Sequence, residues 1–145
     1  MRIKPKAEII IVTGLSGAGR STCLKLLEDY NFEAIDNLPL TLMSNLLSPL
    51  ISNPELEPQK KIAVGVDPRT RGFSPQSLIG TLERLKLQNA KFYVVFLDCD
   101  NASLIRRFTE TRRKHPLAID RPVSDGIKTE RKLLEGVRQA ADFII

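Results

Sequence analysis

One stretch constrains this chain more than any other: Gly14-Leu15-Ser16-Gly17-Ala18-Gly19-Arg20-Ser21, set between an apolar run and an amphipathic one. Before it, Glu8-Ile9-Ile10-Ile11-Val12-Thr13 is β-branched and almost wholly apolar, the composition of a parallel strand buried on both faces. After it, from Arg20 to Tyr30, Cys23, Leu24, Leu26 and Leu27 recur at helical spacing. A glycine-rich turn joining a buried strand to a helix has specific physics. Small residues let the backbone curl until successive N–H groups point inward, and the helix N-terminus adds partial positive charge. Such a nest suits a polyanion. The string fits G-x-x-x-x-G-K-S, with arginine in the lysine position. Gly14, Leu15, Ser16, Gly17, Ala18, Gly19, Arg20 and Ser21 are therefore candidate binding residues for the phosphates of ATP or GTP. Ser21 stands where its hydroxyl would reach a magnesium ion bridging the β- and γ-phosphates. The bland alternative is a glycine-rich turn with no ligand. Arg20 keeps the charge, but a forked guanidinium does not stand in simply for an ammonium group. The sequence thus supports binding more firmly than turnover.

Beyond the turn, strands and helices alternate. Phe32 to Ile35 reads as a brief strand, after which Asp36-Asn37 is placed to cap a helix from about Leu38 to Ser52, with Pro39 in its first turn and a break or kink at Pro49. Asn53 to Gln59 reads as a loop, and Lys61 to Val66 as a second buried strand. Ser74 and Pro75 open a helix reaching about Gln88, Lys91 to Leu97 is a third strand, and Asn101 to Arg113 is helical. A basic loop from Lys114 to about Asp125 leads into one helix ending near Ala140, and Asp142 to Ile145 opens another strand. This order predicts a three-layer α/β fold with a parallel sheet.

With 145 residues the chain makes one ordinary domain, burying about two-thirds of its unfolded surface. No apolar run approaches the roughly 20 residues of a membrane span, and the basic start carries no signal-peptide pattern, so the expected location is the cytoplasm with no membrane contact. Cys23 and Cys99 lie in apolar segments and read as small core residues of a reduced protein. A net charge of +5 favours anionic ligands but is too modest to establish nucleic-acid binding.

Several other residues are candidates for chemistry. Asp67 ends an apolar strand, the usual place for an acid that holds magnesium or its water, and together with Arg20 it is a catalytic candidate. Asp98 and Asp100 end another strand; Asp67 is preferred because Arg69 accompanies it, while Asp100 or Asn101 can simply cap the following helix. Arg106, Arg107, Arg112, Arg113, Lys114 and Arg121 form a basic cluster. On a continuous helix Arg106 and Arg113 share one face, Arg107 and Lys114 the next, with Leu104, Ile105 and Phe108 buried. Such a lid would close over phosphates; the alternative is a solvated face paired in part with Glu110 and Asp120. His115 has no nucleophile or carboxylate partner in the sequence pattern and reads as structural or as a lid contact. Asp36-Asn37 serves a second ligand or only the helix cap.

Together with the glycine-rich turn, Leu27-Glu28-Asp29-Tyr30-Asn31-Phe32 and Asp36-Asn37-Leu38-Pro39 resemble the RapZ/YvcJ family of P-loop nucleotide-binding proteins. The same resemblance continues through Phe96-Leu97-Asp98-Cys99-Asp100, Leu104-Ile105-Arg106-Arg107-Phe108, Thr111-Arg112-Arg113, His115-Pro116-Leu117 and Ala140-Ala141-Asp142, and so spans nearly the whole chain. It implies an N-terminal nucleotide-binding domain with ATPase and GTPase activity, followed by a C-terminal domain that in RapZ itself binds small regulatory RNA and recruits an RNase. The chain is then expected to be residues 1–145 of a longer two-domain protein, with RNA and RNase as partners of the other half. The family's second nucleotide stretch, Asp-x-Arg-[Ser/Asn], falls on Asp67-Pro68-Arg69-Thr70, with Pro68 and Thr70 as departures; it implies a GTP or second-nucleotide site. The layout is also similar to nucleoside monophosphate kinases. The leading expectation is a regulatory domain that binds ATP and GTP with Mg2+ and hydrolyses them slowly; the alternatives are a small-molecule or nucleoside-type kinase and an RNA-binding module.

Overall fold

The computed structural model describes residues 7–52, 60–67, 74–86 and 91–145. Its elements in chain order are β1 (Glu8–Gly14), α1 (Arg20–Asp29), β2 (Glu33–Ile35), α2 (Leu40–Ser52), β3 (Lys61–Gly65), α3 (Pro75–Lys86), β4 (Lys91–Leu97), α4 (Asn101–Thr111), α5 (Val123–Leu133), α6 (Glu135–Ala140) and β5 (Phe143–Ile144). The strands form one sheet in the order β2-β3-β1-β4-β5, with every neighbouring pair parallel. β1 is central, so the glycine-rich turn leaves from the middle of the sheet's carboxyl edge. Crevices at that edge are where open parallel sheets bind ligands.

Alternate residues of the strands serve two cores. Ile9 and Ile11 of β1 join Ile62 and Val64 of β3 and Phe92, Val94 and Phe96 of β4 beneath α2, α3 and the later helices, which contribute Met43, Leu47, Leu78, Leu104, Ile127 and Val137. On the opposite face Val12, Ala63, Val95 and Leu97 pack with Leu24 of α1 and with Phe32. Burial on both faces explains why these strands read as continuous apolar runs. The result is the three-layer α/β P-loop fold expected from the alternation. Cys23 and Cys99 are unbridged, half-buried and packed against these cores, and burial pushes the Cys23 thiol above its ordinary value. Among the described residues no helix is long and apolar enough to cross a membrane.

Boundaries differ from the sequence expectation where a specific contact intervenes. α2 starts at Leu40 rather than Leu38, because the Asp36 carboxylate is used by Asn37 N–H and Arg20 instead of capping the helix. Pro49 stays inside α2 without ending it, on an exposed part of the helix. Ser74 caps α3 as expected, its Oγ accepting from Ser77 N–H at 3.0 Å. α4 stops at Thr111 because Arg112 turns left-handed at φ 54°. The single helix expected up to Ala140 divides at Leu134 (φ −97°, ψ 6°). Just beyond that division Gly136 passes so close to Ile79 of α3 that a Cβ would lie 3.3 Å from Ile79 Cδ1.

Candidate functional site

The turn between β1 and α1 holds three glycines at positive φ, Gly14, Gly17 (86°) and Gly19, and the first and last have different reasons to be glycine. Gly14 has φ 147°, and any Cβ there would strike the carbonyl of Leu97 on β4, the same carbonyl that accepts from Leu15 N–H at 3.1 Å. Gly19 has φ 105° and precedes α1, accepting the Cys23 N–H at 3.0 Å. Among the described residues no atom lies within 4 Å of where its Cβ would be. Beneath the turn, Thr13 Oγ1 donates to Val66 O at 3.1 Å, joining the ends of β1 and β3.

A cavity of about 320 Å³ opens over this turn. Leu15, Ser16, Gly17, Gly19, Arg20 and Ser21 form one side, and Asp67 reaches it from the end of β3. Arg107, Phe108, Thr111, Arg113, Lys114 and Pro116 supply the facing wall. Six of the eight candidates read from the turn are thus gathered at one opening; Gly14 lies against β4 outside its lining, and Ala18 packs toward the cores. Ser21 is exposed at the start of α1 and lines the cavity together with Asp67. Two hard oxygen donors beside a glycine-rich turn are of the kind that suits a magnesium–phosphate group. Pro68, Arg69 and Thr70 lie outside the described residues.

Arg20 does not extend freely into this space. Its Nε donates to Asp36 Oδ1 at 3.0 Å, its Nη2 meets Asp67 Oδ2 at 2.9 Å, and the same Nη2 lies 3.5 Å from Asn37 Oδ1. Asp67 is 3% exposed, so its charge is compensated by this guanidinium rather than by water. Asp36 and Asn37 therefore act on the turn through Arg20, a role the sequence did not suggest.

The competing carboxylates are committed elsewhere. Burial acts to raise the pKa of Asp98, but the Cys99 N–H and the guanidinium groups of Arg131 (2.9 Å) and Arg138 (3.3 Å) outweigh it and hold the carboxyl below the usual 3.8. Arg131 also donates to the Cys99 carbonyl and to Asn101. Asp100 caps α4 by accepting from Ser103 N–H at 3.1 Å, and hydrogen bonding with Ser103 lowers its pKa. The basic cluster also resolves differently from the helical-face expectation. Because α4 ends at Thr111, Arg113 and Lys114 leave the helix and reach the cavity from the following segment, with Arg107 the helical member. Arg107 Nη1 donates to Gly17 O at 2.7 Å. Arg121 pairs with its neighbour Asp120 at 3.5 Å, both exposed, and stands apart from this wall.

One residue at the turn escaped the sequence reading. Glu130 of α5, 1% exposed, accepts from Ser16 N–H and from the Ser16 hydroxyl, both at 2.7 Å. His115, equally buried, faces it with Nε2 at 3.5 Å from Oε1. The signal was present: Ile127, Glu130, Leu134 and Val137 recur at 3-4-3 spacing, so this carboxylate stands on the apolar stripe of its helix. A charge there requires partners.

Comparison with known proteins places this geometry in context. The fold is similar to a shikimate kinase from Acinetobacter baumannii solved with shikimate (TM-score 0.63, 16% identity, covering 96% of this chain and 83% of that one). It is also similar to a gluconokinase from Sinorhizobium meliloti 1021 (TM-score 0.54, 18% identity, 99% and 82%). In sequence, a nucleotide-binding protein of Zymomonas mobilis is 46% identical over 142 residues, covering 97% of this chain and 44% of the relative. A nucleotide-binding protein of Jannaschia sp. is 47% identical over 142 residues, covering 97% and 43%. The chain thus spans less than half the length of the curated relatives it matches. The family model of the RapZ-like N-terminal domain matches residues 7–145. By fold, by the sequence of its turn and by this match, the chain belongs to the family of RapZ-like N-terminal domains.

Proposed function

We propose that this nucleotide-binding domain takes both ATP and GTP, each with Mg2+, at Gly14–Ser21, and turns them over slowly at most. The observation that carries the reading is the cavity itself, the glycine-rich turn on one side and Arg107, Arg113 and Lys114 on the other. Main-chain N–H groups of Gly17 and of Gly19 to Ser21 donate to the phosphate oxygens, the Ala18 N–H being held by Leu15 O at 3.0 Å, while the three cations balance the charge and the Ser21 hydroxyl holds magnesium. Asp67 is the acid closest to that task, and Asp67-Pro68-Arg69-Thr70 is the stretch proposed to contact GTP or a second nucleotide. Slow turnover follows from Arg20. A guanidinium engaged with Asp36 and Asp67 holds two carboxylates at the mouth and is drawn away from a phosphate bridge. The domain then works as a nucleotide sensor in the cytoplasm, the N-terminal half of a longer protein whose other half handles small RNA and an RNase.

Calorimetric titration with ATP–Mg and with GTP–Mg tests this directly. Saturable binding is expected with each, and Gly19→Asp, which puts a carboxylate at the helix mouth, abolishes it. No heat and no competition at about 1 mM nucleotide would end the reading.

The basic wall favours a second reading, a small-molecule or nucleoside-type kinase whose Arg107, Arg113 and Lys114 close on the transferred phosphoryl group. An acceptor panel with labelled ATP decides it. If no acceptor speeds ATP loss above the rate with water alone, the kinase reading fails.

A further inference from the structure

Two groups grip the glycine-rich turn from the side of α4 and α5, and neither contacts it through neighbouring sequence. Arg107 takes the Gly17 carbonyl, and Glu130 takes both donors of Ser16. The second grip is the costlier arrangement. A carboxylate 1% exposed is stable only with good donors on its lone pairs, and here the donors come from a residue 114 positions away in the chain. Its third neighbour is His115. Because His115 Nδ1 accepts from Leu117 N–H at 3.0 Å, the neutral ring carries its proton on Nε2, the atom facing Glu130 Oε1. Phe108 packs on this imidazole with ring centroids 5.1 Å apart, and the same Phe108 lies against Gly17, 3.2 Å from where a Cβ would stand. Gly126 of α5 comes so near His115 that a Cβ would sit 2.7 Å from Nδ1. Ser16 of the turn and His115 of the segment after α4 thus meet at one buried carboxylate of α5, with Phe108 of α4 packed on His115 and against Gly17.

We propose that Glu130 is a positioning residue for the phosphate-binding turn, linked by His115 to the cationic segment that faces the nucleotide. This rests on the nucleotide site proposed above. Bidentate capture of Ser16, with Arg107 on the Gly17 carbonyl and the Ala18 N–H turned to Leu15 O, sets the path of the turn, so that Gly17, Gly19, Arg20 and Ser21 line the cavity before ligand arrives. Preorganised donors of this kind spend nothing on reorganisation when the anion binds. Arg113 and Lys114 immediately precede His115, so seating the imidazole against Glu130 also sets where these two cations enter the cavity. Phosphate nest and cationic wall are thereby registered to each other through a group that touches no nucleotide.

The test compares Glu130→Ala with Glu130→Gln. The amide of Gln can accept from Ser16 N–H and donate to Ser16 Oγ, so it retains the geometry without the charge, whereas Ala removes both. Glu130→Ala is expected to weaken ATP–Mg binding roughly tenfold, while Glu130→Gln stays within about threefold. In the ligand-free protein, amide hydrogen exchange at Ser16 and Gly17 rises in Glu130→Ala and not in Glu130→Gln, with β1 unchanged. Ser16→Ala is expected to weaken binding too, and Glu130→Gln added to it has no further effect; this pair decides the matter if Glu130→Ala does not fold. Wild-type affinity in Glu130→Ala, full additivity with Ser16→Ala, or exchange rising throughout β1 and α1 would overturn the proposal in favour of a merely structural buried pair. If the wild-type domain binds no nucleotide, the nucleotide reading falls. The exchange arm then still decides whether Glu130 braces the turn.

Discussion

The two halves of the phosphate turn are built on opposite plans. From Gly14 to Gly17 the side of the backbone away from the cavity is packed: the Leu97 carbonyl against Gly14, Glu130 on Ser16, Arg107 and Phe108 on Gly17. From Gly19 to Ser21 it is open, with space around Gly19 and an arginine held by acids on the ends of neighbouring strands. Both halves hold glycines at positive φ (147° at Gly14, 86° at Gly17 and 105° at Gly19), but tertiary contact is added in the first half and electrostatics in the second. A glycine string of uniform appearance therefore conceals two kinds of constraint, and these respond differently to mutation.

The sharpest way to break the contrast is alanine at each end. Gly14→Ala forces a Cβ into the backbone of β4 and is expected to cost about 4 kcal/mol or more, read as loss of the cooperative urea transition. Gly19→Ala meets no neighbour and is expected to lose only the left-handed penalty, roughly 1–2 kcal/mol. Equal losses at the two sites would erase the distinction. On the open half, Arg20→Lys frees the site from the bidentate reach of guanidinium and is expected to raise ATP and GTP hydrolysis about tenfold, a barrier change near 1.4 kcal/mol. An unchanged rate would remove Arg20 as the brake. The smallest effect lies beneath the packed half, at Asp98, the residue after Leu97. Its native pKa is lowered, so its stabilising contribution is complete above the ordinary 3.8 and is lost as pH falls through the lower native value. Asp98→Asn is expected to cost about 1 kcal/mol at neutral pH, with the gap to wild type closing below pH 3.8; a gap that persists in acid would mean packing rather than charge.

Much of this architecture was readable because hydrophobic periodicity and glycine placement are local. The buried strands, the turn and the Ser74 cap each depend on residues within a few positions of one another. What was not readable depends on pairs far apart. Arg20 looked like a degenerate lysine position, but its behaviour is set by Asp36 and Asp67, which only the parallel pairing of β1 with β3 and β3 with β2 brings alongside. The cationic wall was expected on one helix; a left-handed Arg112, invisible to helical spacing, moves Arg113 and Lys114 off it. Glu130 sits within Lys128-Thr129-Glu130-Arg131-Lys132, a charged run that reads as a solvated face until the apolar stripe is counted through it.

The small bond between Thr13 and Val66 carries a practical consequence. The β1–β3 ladder has its last paired rung at Val12 and Gly65, and the Thr13 hydroxyl reaches one residue past it. With the Val66 N–H donating to Val12 O at 2.9 Å, it holds Val66 to β1 from both its N–H and its carbonyl at the lip of the sheet. That lip is a natural reference frame: superposed on it, free and nucleotide-filled forms of the domain should share one origin, and any swing of Arg20 away from its acids would then read directly as a displacement of the side chain.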